Sequence, residues 1–228
     1  MSWEEILDGN LESFTFSPND FNKIFVAGQT GSGSNLVAAI YSSSDGGKNW
    51  TTHRLTTTVG KIKAVAIDPK SDNILYAGGV DVQSGKSILF KSLNGGNSWT
   101  KIGGNISSKA KDIRDIAIDP VSPSHVYVGT NTGIFKSVDS GSSWEKTSLS
   151  TSVNCVKVYP NSPKIVVVAG KDGIYYSNDR GHNWTEANNG LTVYNVNCVD
   201  WDLKKEVMYA GTEGGSVYKN KKLLKKIK

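Results

Sequence analysis

The chain has 228 residues, of which 37% are hydrophobic and 9% aromatic, which excludes intrinsic disorder, and no apolar run approaches the ~20 residues of a bilayer-spanning helix. The net charge of +5 comes from the end of the chain, because the last ten residues, KNKKLLKKIK, hold six lysines and no acid and the remainder sums to −1. The high isoelectric point therefore describes a tail and excludes a generally basic nucleic-acid-binding surface.

The first residues, MSWEEILDGN, have neither the basic start nor the apolar stretch of a secretory signal, so the cytoplasm is the default expectation. From there the chain reads as similar units, clearest in DIAIDPVSPSHVYVGTNTGIFKSVDSGSSWEK, Asp115 to Lys146. IAIDP is a short alternating strand, and the Asp-Pro and Ser-Pro that follow predict a turn, since proline presets φ for its second position. All six prolines (Pro18, Pro69, Pro120, Pro123, Pro160 and Pro163) fall in this one turn of successive units.

A β-branched and aromatic strand comes next: IFVAG from Ile24, ILYAG from Ile74, VYVG from Val126, IVVVAG from Ile165 and VMYAG from Val207. A third strand, such as GIFKS or GIYYS, runs into an eight-residue word, Ser-x-Asp/Asn-x-Gly-x-x-Trp, and a fourth begins at its tryptophan. The word occurs as SSDGGKNW, SLNGGNSW, SVDSGSSW and SNDRGHNW. Its fixed positions are Ser43, Asp45, Gly47 and Trp50; Ser92, Asn94, Gly96 and Trp99; Ser137, Asp139, Gly141 and Trp144; and Ser177, Asp179, Gly181 and Trp184.

Each residue of the word has a local structural use. Glycine admits a positive φ, Asp or Asn accepts hydrogen bonds from the turn's backbone, serine bonds across the turn, and tryptophan covers the hairpin. A catalytic or Ca²⁺-binding role fits poorly, because Asn94 carries no charge and four repeats spread the carboxylates that acid–base chemistry must bring together.

Four-stranded meanders repeating at this interval predict an all-β protein, a β-propeller of four-stranded antiparallel blades. The motif tryptophans lie 49, 45 and 40 residues apart, and Trp3 stands where a further one is due, so the count comes to five blades in a single domain over residues 1–228. Residues 1–10 are then expected to add the outer strand of the blade whose inner strands lie near Val196–Asp200, Val207–Gly211 and Ser216–Asn220. That pairing of N- and C-terminal strands closes the ring and removes exposed edges. The lysine-rich residues 221–228 are either a further outermost strand or a solvated tail. Cys155 and Cys198, in the matching words VNCVKV and VNCVDW, are expected to be buried free thiols, because equivalent positions of sheets ~10 Å apart are too distant for a disulfide.

The four words resemble the Asp-box, or bacterial neuraminidase, repeat, and the resemblance extends over nearly the whole chain. It implies a propeller in which the box is a hairpin remote from the working face, and a choice of roles. Families with this repeat include sialidases, xyloglucan-degrading glycosidases, sorting receptors of the sortilin kind and a photosystem II assembly factor. A sialidase would need an Arg-Ile-Pro motif and an arginine triad, whereas this chain has only Arg54, Arg114 and Arg180 and no such motif.

The expected function is accordingly a non-catalytic scaffold or assembly factor that presents a loop face to a protein partner, with carbohydrate binding or glycoside hydrolysis as the alternative. The longest loops between second and third strands, Gly28–Asn35 and Gly78–Ser87, mark the first two blades. The candidate binding face comprises His53, Arg54, Lys61, Lys63, Lys86, Lys109, Lys111, Asp112, Arg114, Asp115, Tyr194 and Asn195, a largely basic set suited to an acidic partner. His53, His125 and His182 show no metal-ligand spacing, and no cofactor motif occurs, so neither metal nor cofactor is expected. The lysine tail lacks stacking aromatics, so neither nucleic acid nor anionic membrane is an expected partner.

Overall fold

The computed structural model describes residues 2–223 and 225. The chain divides into two compact units, residues 1–116 and 117–228.

The first unit contains β1 (Asn10–Phe16), β2 (Ile24–Thr30), β3 (Val37–Ser43), β4 (Thr51–Asp68), β5 (Ser71–Asp81), β6 (Lys86–Ser92) and β7 (Thr100–Ile102), hydrogen-bonded in chain order, followed by the short helix α1 (Gly104–Ser107). Two of the expected meanders share one strand here. The N-terminal part of β4, up to Val59, pairs with β3, and its continuation from Gly60 pairs antiparallel with β5. Phe25, Ala27 and Ile40 of the first meander bury against Val65, Ile67, Leu75 and Ala77 of the second.

The chain passes from the first unit into the second along β8 (Ile113–Ile118). The second unit continues with β9 (Val126–Thr130), β10 (Gly133–Ser137) and β11 (Glu145–Lys146), then β12 (Val153–Val158), β13 (Val166–Gly170), β14 (Gly173–Ser177) and β15 (Thr185–Glu186). It ends with β16 (Val196–Asp202), β17 (Val207–Thr212) and β18 (Val217–Asn220). Its strands are also adjacent in chain order. The continuous apolar run VVVAG of β13 is buried throughout, as a strand covered on both faces must be.

The predicted turns form as their chemistry requires. Asp119 Oδ1 accepts from the Val121 and Ser122 amides at 2.8 and 2.9 Å, Asp68 Oδ1 from Lys70 at 2.8 Å, and Ser17 Oγ from Asn19 at 3.0 Å. A β-bulge recurs in the first strand of each of four meanders, at Glu12, Lys63, Asn154 and Asn197. A bulge inserts one residue into one strand of a pair and re-aims its side chain.

Three expectations need correction. Residues 2–8 form no strand, and among the described residues the last sheet has three strands, so the strand expected from residues 1–10 does not complete it. The N-terminal segment instead lies on the first meander, where Leu7 packs with Val26, Tyr41 and Trp50. The span Gly78–Ser87 is mostly strand, because β5 and β6 run out to a turn at residues 82–85. Cys155 is buried, packed with Val199 of the following meander, but Cys198 is exposed. At the start of the tail, Leu223 is buried in the core of the second unit beside Val199 and Met208, with its amide on Asn220 Oδ1 at 2.8 Å. Lys221, Lys222 and Lys225 around it are exposed. Leu224 and residues 226–228 lie outside the described residues.

Candidate functional site

The boxes are hairpin clasps with one shared geometry. In the first, Ser43 Oγ donates to Asp45 Oδ1 at 2.8 Å and accepts from the Gly47 amide at 2.9 Å, while Asp45 Oδ1 accepts from the Asn49 amide at 2.9 Å. The third and fourth repeat this through Ser137, Asp139, Gly141 and Ser143, and through Ser177, Asp179, Gly181 and Asn183. In the second, the Asn94 side-chain oxygen takes the carboxylate's place, 3.1 Å from Ser92 Oγ and 2.9 Å from the Ser98 amide. The tryptophans close the turn: Trp99 and Trp144 donate through Nε1 to the carbonyls of Gly96 and Gly141.

These bonds hold the box carboxyls at about 2. The side chain and then the amide of Asn49 do so at Asp45, and Ser143 in the same way at Asp139. At Asp179 desolvation acts upward and is outweighed by bonds from Asn183 and Ser177, giving again about 2. A carboxyl lowered on folding contributes stability above its ordinary value of 3.8 and loses it as pH falls through about 2. The melting temperature should therefore fall between pH 4 and pH 2, and should fall less in the triple variant D45N/D139N/D179N, which adopts the arrangement already present at Asn94. Thermal melts across that range check this; equal falls would contradict it.

The candidate binding residues occupy several places. In the first unit, Lys63 Nζ lies 2.6 Å and Arg114 Nε 3.3 Å from Asp112 Oδ2, and Lys61 pairs with Glu12. Three cations and two carboxylates thus gather along neighbouring first strands. The bulges create this row: Glu12 reaches Lys61, and Lys63 reaches Asp112, each partner lying two residues before the corresponding site of the next meander. The same rule holds in the second unit, where Asn154 Nδ2 donates to Asn195 Oδ1 at 3.3 Å, and Asn195 in turn donates to Glu213. Tyr194 beside it is exposed. Glu12 was not among the candidates, although the aligned words LES, IKA, IRD, VNC and VNC mark its position.

The remaining candidates do not join that row. His53 and Arg54 belong to the outer part of β4 instead of a loop. His53 Nε2 lies 2.9 Å from Ser42 Oγ, and burial lowers its pKa, so the imidazole is neutral at pH 7. Lys86 begins β6, Lys109 and Lys111 lie between α1 and β8, and Asp115 Oδ1 accepts from the Ile116 amide at 2.9 Å. Arg54 lines a cleft of about 690 Å³ with Thr56, Thr58, Asp81, Trp99 and Lys101. Asp81 in that cleft is raised by desolvation but held below its ordinary value overall by the Ser84 amide and the Thr58 hydroxyl.

Comparison with known proteins agrees with this architecture. The structure superposes on an ancestral GH74 enzyme with a TM-score of 0.73 at 18% identity, covering 92% of this chain and 30% of that one. On YCF48 bound to D1 peptide the TM-score is 0.60 at 18% identity, covering 92% and 62%. On Sqt1 from Chaetomium thermophilum it is 0.64 at 12% identity, covering 92% and 58%. In sequence, a stretch of 84 residues is 38% identical to a xyloglucanase of Hypocrea jecorina (strain QM6a), covering 37% of this chain and 9% of that protein. The chain thus spans less than two thirds of each of these relatives. The fold is a β-propeller of the Asp-box type. The family model for sortilin, neurotensin receptor 3 (Sortilin-Vps10) matches residues 87–226, more than half of the chain, and the chain belongs to that family.

Proposed function

We propose that residues 1–228 act as one propeller domain of five blades, a non-catalytic module that binds an acidic segment of a protein partner. The observation that carries this reading is the row of Lys61, Lys63 and Arg114 with Glu12 and Asp112 along the first strands of the first unit. These side chains are about one-third exposed or less, so they are pre-ordered by one another, and the excess of one positive charge favours an acidic ligand. YCF48, which shares the fold, has been solved with a bound peptide, and its precedent supports a peptide-sized ligand here.

Titration of fluorescent acidic peptides into the full chain tests this. Binding should weaken at least tenfold in K63Q/R114Q and fall steeply with salt, in a variant that still unfolds cooperatively. Affinity unchanged by that pair of substitutions would refute it.

A second reading rests on the cleft of Arg54, Thr56, Thr58, Asp81, Trp99 and Lys101, whose hydroxyls, cations and indole suit a sugar chain. The xyloglucanase and GH74 relatives favour it. Glycosidases use two carboxyls across the scissile bond, and Asp81 is the one lining this cleft, so the reading is for binding without hydrolysis. A glycan array with wild type and T58A/D81A variants separates the two readings.

A further inference from the structure

The ladder between β3 and β4 is interrupted at one place. Ala39 pairs with Arg54 and Val37 with Val59, so residues 55–58 stand opposite Ala38 alone. Such an insertion is an enlarged β-bulge, a device that re-aims side chains and recurs next to active sites. Its own hydrogen bonds hold it in shape. Thr56 Oγ1 accepts from the Ala38 amide at 3.1 Å and donates to the Thr58 carbonyl at 2.9 Å, and Thr58 Oγ1 donates to Asp81 Oδ2 at 3.1 Å. The bulge is thus a built wall of the cleft that Arg54, Trp99 and Lys101 also line, and every residue lining that cleft belongs to the first unit.

Apolar and charged groups are both fixed in this cleft. Leu55 and Trp99 pack against the core that contains Phe90, and Trp99 Nε1 donates to the Gly96 carbonyl at 2.9 Å, which sets the plane of the indole. Arg54, Thr57 and Lys101 are exposed. Among the described residues neither Arg54 nor Lys101 enters an ion pair. The carboxylate of the cleft, Asp81, is already occupied by Thr58 and, through Oδ1, by the Ser84 amide at 3.0 Å. Two cations face one engaged carboxylate, an excess of one positive charge. A neutral sugar chain would use the indole and the hydroxyls and leave both cations without a partner. We propose that the cleft takes an oligosaccharide of uronic acid residues, which rests on its being a sugar site and adds the charge of the sugar. The indole and Leu55 meet the C–H face of a sugar ring, Thr57 bonds a sugar hydroxyl, and Arg54 and Lys101 each take a carboxylate.

Calorimetric titration of the full chain with an oligogalacturonate, its methyl ester, a neutral xyloglucan fragment and a polyglutamate peptide tests this. The acid should bind at least about tenfold more tightly than the ester, in which the same sugar has lost its charge, and its affinity should fall with salt. R54Q/K101Q should bring the acid down to the level of the ester, whereas T57A should weaken acid and ester alike. All three side chains are exposed, so both variants should unfold at the wild-type temperature. K63Q/R114Q should leave oligogalacturonate binding unchanged, which separates the cleft from the row of ion pairs. Equal affinity for acid and ester would overturn the charged ligand and leave a sugar site standing. Failure of every oligosaccharide to bind would overturn both. Loss of acid binding in K63Q/R114Q but not in R54Q/K101Q would move the ligand to the row and overturn the assignment. So would polyglutamate held through Arg54 and Lys101 as tightly as the sugar acid, which would make the ligand a peptide.

Discussion

Alanine in place of Gly96 is expected to lower the unfolding free energy by about 3 kcal/mol. Two separate causes act at this box glycine. Its φ of 85° lies in the region that costs an L-residue ~1–2 kcal/mol, and a Cβ there would come within 2.9 Å of Phe25 Cε1 of the preceding meander. Overpacking a well-filled site costs ~1–3 kcal/mol more. Gly85 supplies the control: its φ is 64°, but nothing lies within 4 Å of an added Cβ, so G85A should cost only about 1 kcal/mol. Denaturant unfolding of both variants measures the difference. Equal losses would show that the box does not press on Phe25, and that its glycine serves conformation alone.

Asp119→Ala is the second large effect, about 3 kcal/mol. The carboxylate is fully buried, Oδ1 holds the amides of Val121 and Ser122, and Oδ2 lies 3.8 Å from Arg180 Nε, which the fourth box presents at a φ of 58°. Removing the side chain strips two buried amides of their acceptor and leaves the guanidinium without its counter-charge. Asp119→Asn keeps an acceptor for the turn and loses only the charge, so a cost near 1 kcal/mol is expected. Chemical denaturation of the two variants divides the turn from the ion pair. An asparagine as damaging as alanine would assign the stability to Arg180 instead.

The features legible in the sequence are those settled within a few residues. The box, its tolerance of Asn94, the proline turns and the meander order follow from turn chemistry and strand alternation, and the structure forms them at the expected positions. What was not legible depends on what lies across a sheet or beyond it. Cys198 and Cys155 occupy identical words, yet one is exposed and the other buried, because burial is decided by the next sheet and not by the strand itself. Residues 2–8 contain a tryptophan at the right spacing but form no strand; Leu7 goes onto the first meander instead. His53 and Arg54 lie within β4, which continues from one meander into the next without a break, a continuity that no local residue pattern marks. The pairing of Lys63 with Asp112 was hidden by the bulge, which has no signature in a single strand and emerges only when the five first strands are aligned.

That unbroken β4 has a mechanical consequence. Its eighteen residues are bonded to β3 over the first part and to β5 over the second, so tension transmitted along the chain loads both meanders through one strand in shear. Residues 147–152 and 187–195, by contrast, join later sheets as loops that can straighten and shed load one sheet at a time. Opening either of the first two meanders therefore disturbs a strand that the other depends on, and the two are expected to open together.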